Sequence, residues 1–189
     1  MKKQLSALLL CLCSLAAIAK DPAPGNDGEL ANHPLGTISA LDVPRYMGTW
    51  YEIAKYPNWF QRKCEGGTKA EYSLNKDGTV QVTNRCRLKS GEMIEAVGAA
   101  RQIGPAASPK LEVRFAPWWL SFLPFVWGDY WVIELDEHYQ LAVVSEPKQE
   151  YLWILARTPT IDPSDYEKLL ARLSQKGFDL SKLEVTRQD

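Results

Sequence analysis

After Leu41 the chain becomes a succession of short β-forming runs broken by turn-forming residues, and this cadence limits the fold more than any other feature. Candidate strands run over Thr49–Tyr56, Thr68–Leu74, Val80–Lys89, Met93–Ile103, Leu111–Phe115, Asp129–Leu135, Leu141–Ser145 and Tyr151–Arg157. Their links carry Asn75-Lys76-Asp77-Gly78, Lys89-Ser90-Gly91, Gly104-Pro105, Asp136-Glu137 and Glu146-Pro147, mostly the short connections of up-and-down hairpins. An all-β domain of eight antiparallel strands is expected, closed as a barrel or stacked as a sandwich.

One helix interrupts the pattern. Asp162 is a good N-cap and Pro163 fits the first helical position, where its missing N–H costs nothing. Tyr166, Leu169, Leu170 and Leu173 follow the spacing of one apolar face, and Gly177 can end the helix. The eighth strand offers this helix a dock. Leu152, Ile154 and Ala156 share one face while Tyr151, Trp153 and Leu155 share the other, and a strand apolar on both sides is covered on both sides. A barrel lumen on one face and the helix on the other satisfies both.

Upstream, Lys2 and Lys3 precede an apolar run from Leu5 to Ala19 that ends in Ala17-Ile18-Ala19, which reads as an export signal cleaved after Ala19. The run is short for a membrane span, which needs about 20 apolar residues. Cys11 follows Leu10 and Cys13 follows Leu12, so neither has the small residue expected before an acylated cysteine, and a lipid anchor is not expected. Residues 20–40 read as a flexible leader, because Lys20 to Pro34 is rich in Pro, Gly, Asp and Asn and lacks the apolar surface to offset ordering. The domain is expected over 41–189, enough chain for one real core.

The formal charge of the 189-residue chain is -1, and removal of Lys2 and Lys3 makes it more acidic. Nucleic-acid binding, which calls for a basic stripe, is not expected. Cys64 and Cys86 remain after export, where disulfides persist. If Asn75 to Gly78 is a hairpin turn, a residue near 86 faces one near 67, so a Cys64–Cys86 bridge is feasible.

Three segments then resemble the lipocalin family. Arg45-Tyr46-Met47-Gly48-Thr49-Trp50-Tyr51-Glu52-Ile53-Ala54 looks like its Gly-x-Trp signature, and Tyr130-Trp131-Val132-Ile133-Glu134-Leu135-Asp136 through Tyr139 resembles its second motif. Tyr151 to Pro159 is similar to the third, with Arg157 where the family places an arginine on the signature tryptophan. The likeness covers the chain after Leu41 and is greatest to bacterial lipocalins of the cell envelope. It implies an eight-stranded up-and-down barrel with one flanking C-terminal helix, residence in the periplasm or in association with the outer membrane, and a fatty acid or lysophospholipid as ligand. Gly48, Trp50 and Arg157 are then structural, because a guanidinium over an indole gains cation–π attraction and can tie down carbonyls at the closed end.

With Trp50 at the base, the loops after odd-numbered strands fall at the mouth. Period-two alternation sets Glu52, Ala54 and Tyr56 inward with Trp50, along with Val82 and Asn84, Leu111, Val113 and Phe115, and Trp153 and Leu155. Tyr130 joins them as a ligand-binding residue. Such a lining suits an acyl chain.

The mouth carries Trp59, Phe60, Arg62 and Lys63 in one loop and the uncharged stretch Pro117 to Trp127, with Trp118, Trp119, Phe122, Phe125 and Trp127, in another. These rings fit contact with a membrane surface, or they fold over the mouth or bury in a homodimer. Arg62, Lys63 or Lys89 can meet an anionic headgroup or stay solvated. An enzyme on the same scaffold is the rival: Glu52 can be a general acid or base, or a hydrogen-bonded strut. His33 lies in the leader and His138 in a turn at the closed end, so no Cys/His or Ser/His arrangement meets the mouth. Neither a catalytic residue, a metal site nor a cofactor is expected.

Overall fold

The computed structural model describes residues 34–188. The export signal, its cleavage point, the leader as far as residue 33 and His33 lie outside the described residues.

Eight long strands close on themselves: β1 (Gly48–Lys55), β2 (Cys64–Leu74), β3 (Val80–Leu88), β4 (Met93–Gln102), β5 (Lys110–Arg114), β6 (Gly128–Leu135), β7 (Leu141–Ser145) and β8 (Leu152–Ala156). Each pairs antiparallel with its neighbours, β8 returns to β1, and β1 also pairs with β2, so the sheet is a barrel. A ninth strand, β9 (Glu184–Val185), adds to β1 alone. A short α1 (Val43–Tyr46) precedes the barrel and α2 (Pro163–Gln175) follows it.

Local chemistry accounts for these elements. Asp162 caps α2 by accepting from the Ser164 N–H at 2.8 Å, and Gly177 leaves the helix at φ +87°, the left-handed region glycine favours. The barrel wall then separates two apolar cores. Trp50, Ala70, Tyr72, Val80, Val82, Leu111 and Leu155 pack inside it. Leu152, Ile154 and Ala156 face outward against Leu169, Leu173 and Phe178, the two-sided burial expected of the eighth strand.

Two expectations need correction here. In β1 the register with β8 slips between Glu52 and Ala54, leaving Ile53 as a bulged extra residue. Alternation reverses beyond it, so Ala54 and Tyr56 point away from the lumen into the outer core. Tyr56 packs edge-on against Phe178 and donates to the Asp179 carbonyl at 3.0 Å. The leader also stops before residue 40: Leu35 is buried in the outer core, and the Ile38 N–H donates to the Val132 carbonyl at 3.2 Å.

Cys64 and Cys86 are bonded across β2 and β3, with Cα atoms 5.6 Å apart. The pairing near them is irregular, Gly66 facing Arg87 and Lys69 facing Arg85, and Cys64 itself faces Leu88, so the bonded cysteines are not register partners. No described helix is long and apolar enough to cross a membrane.

Candidate ligand-binding site

The barrel interior is a cavity of about 610 Å³, open at one end. That volume falls within the range of small-molecule sites, roughly 300–1,000 Å³.

The base is plugged. Trp50 is fully buried and its indole N–H donates to the Tyr46 carbonyl at 2.8 Å. The Arg157 guanidinium lies 3.9 Å from the Trp50 ring centre and donates to the carbonyls of Thr49, Tyr139 and Arg45 at 2.9, 3.2 and 3.0 Å. Gly48 makes this approach possible: its φ is +94°, and a Cβ there would stand 3.3 Å from Arg157 Nη1.

Above the plug stand three phenols. The hydroxyls of Tyr46 and Tyr72 each lie 3.0 Å from that of Tyr130. Burial pushes all three phenols well up, Tyr72 to about 12, so the floor stays uncharged at any physiological pH. The walls are largely apolar, with Ala70, Val80, Val82, Ala100, Leu111 and Val113; Asn84 is set among them, and Thr68, Lys69, Arg85, Glu95 and Asp129 also border the cavity.

Towards the mouth, Glu52 is buried and accepts from Gln61 Nε2 and Thr186 Oγ1, both at 2.6 Å. Burial raises its carboxyl, against the opposing pull of those bonds and of Lys55. Gln61 also accepts from the Trp153 indole N–H at 3.0 Å, so one amide joins the first loop, the lumen wall and Glu52. The segment after β9 closes this side. Thr186 N–H donates to the Ile53 carbonyl, Gly67 N–H donates to the Arg187 carbonyl, and the Gln188 amide donates to the carbonyls of Glu52 and Thr68. Gly66 is required for the fit, since a Cβ there would fall 2.7 Å from the Arg187 carbonyl oxygen.

The mouth is lined by Trp59, Phe60, Tyr151 and Trp153 on one side and by Phe115, Ala116 and Val126 on the other. The uncharged loop folds as two 3-10 turns, Trp118–Leu120 and Pro124–Val126. It presents Trp118, Trp119, Phe122 and Phe125 to solvent at 78%, 58%, 76% and 80% exposure.

The sequence comparisons agree with this architecture. A family model described as a lipocalin-like domain matches residues 41–188. The chain belongs to the lipocalin family. This lipocalin is similar to temperature-induced lipocalin-1 of Arabidopsis thaliana, 41% identical with 80% of this chain and 81% of that one covered. It is also similar to the outer membrane lipoprotein Blc of Escherichia coli strain K12, at 40% identity over 77% and 78%. Mouse apolipoprotein D is 31% identical over 96% of this chain and 95% of its own. Among solved structures, insecticyanin of the tobacco hornworm Manduca sexta matches in fold with TM-score 0.62 at 20% identity, over 80% of this chain and 83% of that one. The family generally binds small hydrophobic ligands.

Of the residues singled out from the sequence, the lipocalin lumen brings together Glu52, Val82, Asn84, Leu111, Val113, Phe115, Tyr130, Trp153 and Leu155. It excludes Ala54 and Tyr56. Trp59 and Phe60 stand at the rim, while Arg62 and Lys63 are exposed beside it and do not line the cavity. Trp127 departs from the membrane-facing set: its ring sits 4.1 Å from the Arg101 guanidinium and 5.2 Å from that of Arg114, and its N–H donates to the Ser121 carbonyl at 2.8 Å. It fastens the root of the loop, because two cations hold its face on the barrel wall.

Sequence reasoning missed Tyr46, Tyr72 and Gln61 in the lumen. Tyr72 carried a signal, since it shares the inward face of β2 with Ala70; Tyr46 and Gln61 come from segments with no period to read. Among the described residues, no group of three His, Cys, Asp or Glu could hold a metal ion.

Proposed function

We propose that this lipocalin binds and carries a single-chain lipid, a fatty acid or a lysophospholipid, in its lumen, and that it works outside the cytoplasm. The observation that carries this reading is the apolar cavity of about 610 Å³ whose open end is flanked by exposed aromatic rings. Trp118, Trp119, Phe122 and Phe125 touch the membrane surface from which the lipid is drawn. Indole rings favour the headgroup layer, and a loop without charge of its own attaches through apolar contact. Arg62 and Lys63, exposed beside the rim, are positioned to meet an anionic headgroup. An exported or envelope location is supported by the signal-like start of the sequence and by the Blc relatives, which are named outer membrane lipoproteins.

A carrier is favoured over a catalyst because Glu52, the one buried lumen carboxylate among the described residues, is committed. Both oxygens of Glu52 accept hydrogen bonds from neighbours that join the loop and the C-terminal segment to the wall. The deciding experiment extracts lipid from the purified mature protein for mass spectrometry. It then titrates oleic acid and lysophosphatidylcholine against tryptophan fluorescence, with Trp153 and Trp59 in the lumen lining as reporters. Co-purified acyl lipid with saturable quenching is expected. Neither lipid nor quenching would overturn the reading, and turnover of a lipid substrate lost in Glu52→Gln would replace it with an enzyme.

A further inference from the structure

The lumen floor contains more hydrogen-bond capacity than its own residues consume. Three phenolic hydroxyls carry three protons, and the cluster has two O···O hydrogen bonds, Tyr46 to Tyr130 and Tyr72 to Tyr130. Each bond uses one proton. Whichever way the bonds run, one O–H has no acceptor among the described residues.

A second unspent group stands above it. Val82 faces Tyr72 across β2 and β3, and Asn84 occupies the next inward position toward the mouth. Its side-chain amide lines the cavity and makes no hydrogen bond among the described residues. Water can serve both groups in an open lumen. A hydrocarbon that fills the lumen strips that water and leaves a buried donor and a buried amide unpaired, which opposes binding.

We propose that the floor is a polar subsite which receives a neutral hydroxyl or carbonyl oxygen carried on the buried part of the ligand. This rests on the carrier reading and narrows it: the preferred lipid is an oxygenated acyl chain over a plain one. The oxygen is neutral because, among the described residues, no cation stands free beside the three phenols to hold a carboxylate; Lys69 and Arg85 border the cavity nearer the mouth. Arg157, whose charge reaches Tyr46 and Tyr72, is already committed to three carbonyls and to the Trp50 face. The floor itself stays protonated, so it offers a donor and not a charge.

The test titrates the delipidated protein with stearic acid and with hydroxystearic and oxostearic acids whose oxygen is moved stepwise along the chain. The best-placed isomer is expected to bind roughly 10-fold tighter than stearic acid, and the advantage to depend on where the oxygen sits. Replacing Tyr46, Tyr72 and Tyr130 together by Phe keeps the rings and removes every floor hydroxyl, and the affinity ratio for the isomers whose oxygen reaches the floor, below Asn84, is expected to collapse to near unity. Tyr130→Phe alone acts in the opposite sense. It breaks both bonds, leaves two unspent protons on Tyr46 and Tyr72, and preserves or enlarges the ratio. A structural role for the cluster predicts no such split. If the triple variant fails to fold, the wild-type isomer series and the single variant still decide. Equal affinity for stearic acid and every oxygenated isomer would overturn the inference and leave the carrier reading standing, as would a preference for the floor-reaching isomers that survives loss of all three hydroxyls. No binding of any of these acids would overturn both.

Discussion

The two ends of this barrel are built from the same residue types to opposite effect. At the base, Trp50 and Tyr46 are fully packed, and Arg157 spends its donors on backbone carbonyls. At the mouth, Trp59, Trp118, Trp119, Phe122 and Phe125 stand in solvent with little to cover them. Aromatic content alone therefore says little about role. What separates the ends is whether a ring has a polar anchor and a close-packed partner, which makes it part of the core, or neither, which leaves its apolar area available to something else.

The comparison can be broken most directly at the base. Trp50→Ala empties the plug and is expected to cost about 3–5 kcal/mol, read as a lowered urea midpoint. A loss below about 1 kcal/mol would mean the base is no more critical than the mouth. Next in size is the disulfide, which encloses a sequence separation of 22 residues between β2 and β3. Replacing Cys64 and Cys86 by Ser is expected to cost about 3 kcal/mol, chiefly through the unfolded chain, and the reduced wild type should match the double variant.

Glu52 provides a smaller and pH-dependent contrast. Because burial raises its carboxyl, the native state keeps a proton that the unfolded chain releases. Stability from this site is fullest below the ordinary Glu range and declines as pH rises through the raised native value. Glu52→Gln, whose amide oxygen can still accept from Gln61 while its NH2 donates to the Thr186 hydroxyl, is expected to gain on wild type as pH increases, by at most about 1 kcal/mol. Urea melts across pH check it; a gap that widens on acidification would contradict the assignment. Smallest in stability is the exposed loop. Trp118→Ser with Trp119→Ser should shift unfolding by less than about 0.5 kcal/mol, yet remove co-sedimentation with phosphatidylcholine vesicles. A change in oligomer mass instead, with vesicle binding intact, would make the loop a protein interface.

The barrel itself was readable because it rests on local signals. Strand cadence, hairpin turns, the Asp162 cap and the two-faced eighth strand each depend on residues within one element. The site was readable where alternation runs unbroken, as along β3, β5 and β8. It failed where geometry is set by distant partners. The bulge at Ile53 follows from how β1 meets β8 and reverses Ala54 and Tyr56, although the adjacent apolar pair Ile53-Ala54 hinted at a lost alternation. Trp127 looked like its neighbours in an uncharged run until Arg101 and Arg114, from two other strands, claimed its face. The two residues of β9 are too few for any period, and the floor cluster draws one tyrosine from each of three separate elements.

The plug under the lumen also governs timing. With Trp50 and Arg157 sealing the base, the cavity is a cul-de-sac: an incoming molecule cannot push the occupant out ahead of it, and one must leave before the next arrives. Exchange is then first order in the loaded protein and indifferent to how much competitor surrounds it. Residence time becomes a property of the rim, where a mobile ring or a nearby bilayer can shorten it, while the sealed base holds its shape regardless of traffic.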